Sequence, residues 1–214
     1  MFQNNYLKIC SEDETVSINW RKSENRSFSP IMFNNPERVL INKSLSFYKN
    51  ILAEIHLPTA AAVLLGLPGG ESYFRHEIAD NFPLLADALL HQDKQAFIEY
   101  SHKIAGMGRG LTPTGDDLLH GALIASHYFA DNLNFIESVK KDFLTTSLKT
   151  NIFGRHMIEI GLKGLTPEIF KNFLISIALG QPDRAIYKSI SLIGSSSGLD
   201  VIIAMIYISN ELFV

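Results

Sequence analysis

Cysteine is almost absent from this sequence, because Cys10 is the only one among 214 residues. A single cysteine excludes an internal disulfide and a cysteine-based metal cluster, and it agrees with a reducing compartment. An excess of positive charge is lacking as well, since 19 Lys and Arg residues face 22 Asp and Glu residues, for a formal net charge of −3. This balance argues against nucleic acid as a partner, because a basic surface would be needed to neutralise its phosphates.

Long apolar runs are missing too. The longest, at residues 60–68 and 201–208, fall far short of the ~20 residues that span a bilayer. The opening stretch MFQNNYLKIC lacks the basic start and apolar core of a signal peptide. We therefore predict no membrane segment and a cytoplasmic location. A hydrophobic content of 46% is nevertheless enough for a full core, in one large domain or in a small and a larger one.

The first 35 residues differ from the rest in the spacing of their apolar residues. Segments 6–9, 15–20 and 27–33 carry β-branched or aromatic residues between polar clusters, which is a strand-and-turn pattern. From Pro36 onward the apolar residues instead recur at helical spacing. The pattern predicts an α+β fold, with a small β-containing N-terminal region and a linking helix in residues 1–74 and a mainly helical domain in residues 75–214.

The linking helix begins near Pro36 and is predicted to bury one face, made of Val39, Leu40, Leu45, Tyr48, Ile51, Leu52 and Ile55. Residues 59–70 fit either a buried strand or a short helix, with the helix slightly favoured. Further helices are predicted from Pro83, at 94–105, 116–129, 135–160 with a break near Thr150 and Asn151, 167–179, 182–193 and 199–212. The last is apolar nearly all round, so it is expected at the centre of a bundle beside helix 116–129.

The stretch GMGRGLTPTGDDLLHGA, residues 106–122, joins a glycine-rich loop to a strongly patterned helix. Glycine permits backbone angles that other residues avoid, so this loop can turn tightly and let a ligand approach its amides. Four glycines occur within ten residues: Gly106, Gly108, Gly110 and Gly115.

The end of this loop carries the signals of a helix start. Thr114 or Asp116 can cap the helix, and Asp116 and Asp117 bring negative charge to its positive end. Such a loop usually binds an anion, and Arg109 or a metal ion would offset the repulsion from the two carboxylates. The alternative is a capped helix start with no ligand.

A second stretch, GSSSGLD at residues 194–200, has the same form as TGDD: hydroxyls, a glycine and an aspartate before a long apolar helix. If the two helices pack side by side, both loops can contribute hydrogen-bond donors to one pocket. Alternatively, the segment ends one helix and caps the next.

These two stretches carry a family resemblance. GMGRGLTPTGDDLLHG resembles GLGPGLTPSGDDFLAG, and GSSSGLD resembles GHSSGWD, the two signatures of a bacterial family described as the AllH subunit of oxamate carbamoyltransferase. The resemblance covers about half of the chain, from near Gly106 onward. The sequence departs from the signatures in having Arg109 for proline, Thr114 for serine, Ser195 for histidine and Leu199 for tryptophan.

The resemblance implies a role in anaerobic purine catabolism, where allantoin-derived oxalurate and phosphate are converted to oxamate and carbamoyl phosphate. It also implies a multi-subunit enzyme, so that the chain is expected to work with partner subunits on a small anionic substrate. The alternative is a non-catalytic subunit that binds small anions or supports assembly.

Within this framework we assign catalytic roles to Asp117, Asp116 and Arg109. Asp117 and Asp200 would orient donors or hold Mg²⁺, which is the candidate cofactor although none is required by the sequence. The residues predicted to bind substrate are Gly108, Gly110, Thr112, Thr114, Gly115, Ser195, Ser196, Ser197, Gly198 and Asp200.

Other residues are given less weight. His120 follows Asp117 by three positions, so an Asp/His metal pair is geometrically allowed but not favoured. His156 beside Arg155 is better explained by a solvated helix face. No Ser/His/Asp nucleophile motif is recognised, since GESYF at residues 70–74 lacks the GxSxG form. The spaced glycines after Gly106 do not follow a predicted strand, as a dinucleotide-binding GxGxxG motif would.

Overall fold

The computed structural model describes residues 2–3, 6–10, 15–19, 33, 36–55, 57–70, 73–130, 133–145 and 148–214. Three short strands, β1 Phe2–Gln3, β2 Tyr6–Cys10 and β3 Thr15–Asn19, pair antiparallel in the order β1-β2-β3. The described α-helices are α1 Arg38–Ala53, α2 Arg75–Leu90, α3 Lys94–Ile104, α4 Thr114–Phe129, α5 Leu133–Thr145, α6 Ile152–Gly161, α7 Glu168–Ala178, α8 Arg184–Ile190 and α9 Ser197–Phe213. A 3-10 helix, Ala60–Leu65, lies between α1 and α2.

The predicted α+β fold class is wrong, because the described part of the chain is mainly helical. The strands are two, five and five residues long, so they make up only a small part of the chain. Of the predicted strand at 27–33, only Phe33 lies within the described residues, and its N–H donates to the Tyr128 carbonyl at 3.0 Å. The predicted segments 6–9 and 15–20 do form strands, β2 and β3, but this small sheet leaves the chain mainly helical.

Helix α1 buries the predicted face in part. Tyr48 and Leu52 are fully buried, whereas Val39 and Ile55 at its two ends are exposed, contrary to the prediction. Its inner face packs against α7 and α9, and the Tyr48 hydroxyl forms a 2.7 Å hydrogen bond with Ser176 Oγ. Val39 lies in the first turn of α1, and Ile55 lies two residues past its last residue, Ala53.

Helix α2 begins earlier than predicted. Pro83 was expected to open a helix, but it lies inside α2, which starts at Arg75. Ile78 and Phe82, both fully buried, extend the apolar face one turn and more ahead of the proline. Their burial outweighs the hydrogen bond that proline cannot donate.

Two other expectations are confirmed. The chain breaks between α5 and α6, where the Asn151 side chain caps α6 by accepting from the Phe153 and Gly154 N–H groups at 2.9 and 3.0 Å. The ambiguous segment 59–70 contains the 3-10 helix, and Thr59 caps it by accepting from the Ala61 N–H at 3.0 Å.

The centre of the fold is the pair of helices α4 and α9. Nearly every residue of α4 is buried, and α9 is buried along most of its length, as its apolar sequence predicts. Gly121 allows the close approach, because a Cβ at this position would lie 2.3 Å from the Val201 carbonyl oxygen. The side-by-side packing places the N-terminal ends of both helices next to each other, where the site is formed.

Candidate functional site

The glycine-rich loop between α3 and α4 adopts the backbone that the sequence predicts. Gly106, Gly108 and Gly110 have φ angles of 78°, 119° and 99°, which a residue with a side chain rarely adopts. The loop is closed by the Gly115 N–H, which donates to the Met107 carbonyl at 2.8 Å. A Cβ on Gly115 would lie 1.9 Å from the Ile104 carbonyl oxygen, so this glycine is required for packing.

Asp116 anchors the loop. Its buried carboxylate accepts from the Gly106 N–H at 2.8 Å and from the Thr150 hydroxyl. Burial raises the pKa of Asp116, and these two hydrogen bonds act in the opposite direction. A Cβ on Gly154 would overlap the same carboxylate, so α6 packs directly against it. These contacts favour a structural role over the catalytic role predicted for Asp116.

Asp117 is buried in a different way. Its side chain is 1% exposed, and its Oδ2 atom has no hydrogen-bond partner among the described residues. Burial raises the pKa of Asp117 to about 8, the nearby Asp200 adds to the shift, and hydrogen bonds with Ser197 and Thr112 oppose it. A buried carboxyl oxygen without a partner is costly, which marks this position as a candidate for function.

The carboxylate of Asp200 accepts hydrogen bonds from hydroxyl groups. The Thr59 hydroxyl donates to Oδ1, and the Ser196 hydroxyl donates to Oδ2 at 3.1 Å. Burial raises the pKa of Asp200 to about 6, while hydrogen bonds from Thr59, Ser196 and Thr114 lower it. The side chain therefore connects the 3-10 helix with the starts of α4 and α9.

The two predicted loops meet. Thr112 Oγ1 and Ser197 Oγ are 2.9 Å apart and form a hydrogen bond between the loops. A cleft of about 360 Å³ opens beside them, within the size range of small-molecule sites. The residues that line it are Pro58, Thr59, Ala60, Gly70, Tyr73, Phe74, Gly108, Arg109, Thr114, Ser195 and Ser196.

The predicted site residues fall into three groups. The first group lines the cleft and consists of Gly108, Arg109, Thr114, Ser195 and Ser196. The second group consists of carboxyl and hydroxyl side chains at the starts of α4 and α9 that hydrogen-bond with one another or lie close together: Asp117, Asp200, Thr112 and Ser197. Gly110 is exposed in the loop, and Gly115 and Gly198 allow backbone packing, since a Cβ on Gly198 would lie 2.1 Å from the Ile190 carbonyl oxygen.

Thr59 was missed by the sequence analysis. A threonine before a run of alanines is a helix-capping signal, and it could have been recognised as such. Its bond to Asp200 spans 141 positions in the sequence, and no local pattern indicates that contact.

His120 is not part of this site. Its Nδ1–H donates to the Met157 carbonyl at 2.9 Å, and Nε2 accepts from the Thr166 hydroxyl at 3.1 Å. Burial lowers the pKa of His120 to about 4, so the ring is neutral. Both ring nitrogens therefore have hydrogen-bond partners within the core. Among the residues that the structure describes, no group of three or more His, Cys, Asp or Glu side chains could hold a metal ion. His156 is exposed beside Arg155, which pairs with Glu159 at 3.1 Å.

None of the helices in the described ranges is long and apolar enough to cross a membrane. Comparison with known protein families shows that residues 104–209 fit the model of a family described as oxamate carbamoyltransferase subunit AllH. This region contains both loops and both central helices. No curated protein and no solved structure matches the chain significantly.

Proposed function

Because the chain belongs to the AllH family of oxamate carbamoyltransferase subunits, we propose that it binds the small anionic substrate of such an enzyme in the cleft beside α4 and α9. The reaction is the conversion of oxalurate and phosphate to oxamate and carbamoyl phosphate in allantoin catabolism, with the cytoplasm as its location. The observation that carries the proposal is the position of Arg109.

Arg109 lines the cleft and is exposed, and it forms no hydrogen bond or ion pair with any residue that the structure describes. A guanidinium group presents several donors in a plane and binds phosphate or carboxylate through two parallel hydrogen bonds. Its free donors at the cleft wall therefore support binding of an anion.

Helix geometry supports the same conclusion. Helices α4 and α9 both begin at the cleft, so the positive ends of two helix dipoles lie beside the space that a ligand would occupy. The hydroxyl groups of Thr114 and Ser196 line the same space and can donate to an anion.

The nearby carboxyl groups do not prevent anion binding. Asp117 and Asp200 are 1% and 0% exposed, and the oxygens of Asp200 are covered by the hydroxyls of Thr59 and Ser196. The cleft thus presents hydroxyl groups and an arginine, and it keeps the carboxylates out of direct contact with the ligand.

In the proposed reaction an oxygen of hydrogen phosphate attacks the carbamoyl carbon of oxalurate, and the bond from that carbon to the oxamate nitrogen breaks. The proton that the phosphate loses is taken up by this nitrogen, which gives oxamate and carbamoyl phosphate. Negative charge develops on the carbonyl oxygen, and Arg109 is placed to bind either this oxygen or the phosphate. Loss of one such donor commonly lowers the rate about a hundredfold or more.

Exposed apolar residues support the presence of partner subunits. Tyr73 lines the cleft and Leu111 lies in the glycine-rich loop, and these side chains are 84% and 67% exposed. The AllH family is described as a subunit of an enzyme, so another subunit is available to cover these two side chains. We propose that a further subunit of the enzyme docks here and contributes to the same reaction.

Arg109→Ala tests the binding of the anion. Isothermal titration of the purified chain with phosphate, carbamoyl phosphate, oxamate and oxalurate should reveal at least one ligand. The substitution should weaken its binding by about 1.5–3 kcal/mol, or roughly 10- to 150-fold, as expected for hydrogen bonds to a charged group.

Arg38→Ala is the matched control, because Arg38 is also exposed but lies at the start of α1. It removes the same charge and should leave binding unchanged. Equal affinities for the parent and Arg109→Ala would contradict the proposal. If the variants bind alike and yet Arg109→Ala impairs turnover in the assembled enzyme, the chain contributes to a site made mainly by its partners.

A further inference from the structure

The buried carboxyl groups of Asp117 and Asp200 lie close together, and anion binding in the cleft does not explain how their negative charge is balanced. The two groups are close enough for the charge of Asp200 to influence Asp117, and both are almost completely buried. No Lys, Arg or His side chain within the described ranges pairs with either of them. Uncompensated charge is very costly inside a protein, so some other group must balance it.

A proton alone does not satisfy Asp117. Its Oδ2 atom has no partner among the described residues. If Oδ2 carries the proton, the resulting O–H lacks an acceptor, and if it does not, the oxygen lacks a donor. A positively charged ion beside Oδ2 would remove both difficulties.

The groups that hydrogen-bond with the pair are hydroxyls, whose oxygens are hard ligands. Thr112 and Ser197 hydrogen-bond with Asp117, and Thr59, Ser196 and Thr114 do so with Asp200. Carboxylate and hydroxyl oxygens suit Mg²⁺ and Ca²⁺, whereas softer metals prefer imidazole or thiolate ligands.

Helix dipoles set the charge of the expected ion. Asp117 and Asp200 lie in the first turns of α4 and α9, where the positive helix ends favour ionised carboxylates. Burial opposes ionisation of both groups, but a bound divalent cation lowers the pKa of the carboxyl groups beside it. Ion binding therefore releases the protons, and the resulting charge of −2 is balanced by the ion.

We propose that Asp117 and Asp200 together bind a divalent cation of the Mg²⁺ and Ca²⁺ class between the N-terminal ends of α4 and α9. The hydroxyl oxygens of Thr112 and Ser197 supply further ligands or hold the carboxylates in place. This site does not depend on anion binding in the cleft, and it is tested without substrate.

The first measurement counts bound ions on the parent chain. The full chain is treated with EDTA, transferred to a buffer whose only cation is tetramethylammonium, and titrated with Mn²⁺ followed by electron paramagnetic resonance. We expect one Mn²⁺ per chain, displaced by Mg²⁺ or Ca²⁺. Absence of bound Mn²⁺ in the parent, or displacement by K⁺ but not by divalent ions, would overturn the proposal.

The second measurement uses thermal unfolding with Mg²⁺ and Ca²⁺. At a concentration one hundred times Kd, Tm should rise by about 5–10 °C, and tetramethylammonium chloride at equal ionic strength should not reproduce the rise. Asp117→Asn and Asp200→Asn keep the side-chain shape but remove a charged oxygen, so the rise and the bound Mn²⁺ should both be lost.

Asp80→Asn is the control, because Asp80 is exposed on α2. It should bind Mn²⁺ and respond to Mg²⁺ as the parent does. If Asp117→Asn still binds Mn²⁺ with the parent affinity, the ion lies elsewhere and the assignment is wrong.

Discussion

At the scale of single residues, His120 contributes a pH dependence of stability that one substitution can isolate. It is neutral in the folded chain because burial lowers its pKa from 6.5 to about 4. The unfolded chain therefore takes up a proton below pH 6.5 that the folded chain does not take up until about pH 4. A lowered pKa of a histidine stabilises the fold above pH 6.5 and destabilises it progressively as the pH falls.

We predict that His120 lowers the free energy of unfolding by about 2 kcal/mol when the pH falls from 7.5 to 5. Urea unfolding of the parent and of His120→Gln at both values measures it. The free energy of unfolding should fall more in the parent than in the variant by that amount. Asp117 and Asp200 also have shifted pKa values, but they contribute equally to both proteins and cancel in the difference. Equal pH dependence in the two proteins would show that His120 titrates normally.

Residue types and spacing predicted much of the site. Glycines with positive φ and two acidic helix starts follow from the sequence, because backbone freedom and capping are local properties. The different roles of Asp116 and Asp117 do not follow. The two residues are adjacent, and only the packing shows that Asp116 is bonded to Gly106 and Thr150 while Asp117 retains an unpartnered oxygen.

At the scale of helices, the contact between α4 and α9 depends on Gly121. Ala normally favours a helix over Gly by about 1 kcal/mol. In Gly121→Ala, however, the new Cβ would overlap the Val201 carbonyl oxygen, a backbone atom that cannot move alone. We predict a net loss of about 1–3 kcal/mol in unfolding free energy, since overpacking forces the helices apart.

Chemical denaturation measures this loss, with Asp80→Ala as the control. Asp80 is exposed within α2, so the same new residue should be neutral or slightly stabilising there. A gain in stability in Gly121→Ala would mean that the helices are farther apart than described.

Helices were predicted from the sequence where their apolar faces are continuous. The buried character of α9 and the break before α6 are examples, because each rests on a local pattern. The early start of α2 was missed, although Ile78, Phe82, Leu85 and Leu89 recur at helical spacing and are all fully buried. Proline was given too much weight as a helix start, and tertiary burial decided the outcome.

At the scale of the whole molecule, exposed apolar residues beside the cleft predict an assembly. We expect Tyr73→Ser combined with Leu111→Ser to weaken binding of a partner subunit at least tenfold while leaving Tm unchanged, since both side chains are largely exposed. Titration of a partner subunit against the labelled chain measures the affinity.

Val39→Ser is the control, because Val39 is 77% exposed but lies at the start of α1. It should bind the partner as the parent does. If the double variant assembles normally, the docking surface lies elsewhere on the chain.

The hydrogen bonds of the site also have a consequence for the order of events in folding. Thr112 meets Ser197 across 85 positions, and Thr59 meets Asp200 across 141. Contacts between such distant positions form late, because closing long stretches of chain is slow compared with forming single helices. In a refolding experiment, helical circular dichroism should therefore recover before ligand binding does. The time at which ligand binding appears during refolding would show when these long-range contacts have formed.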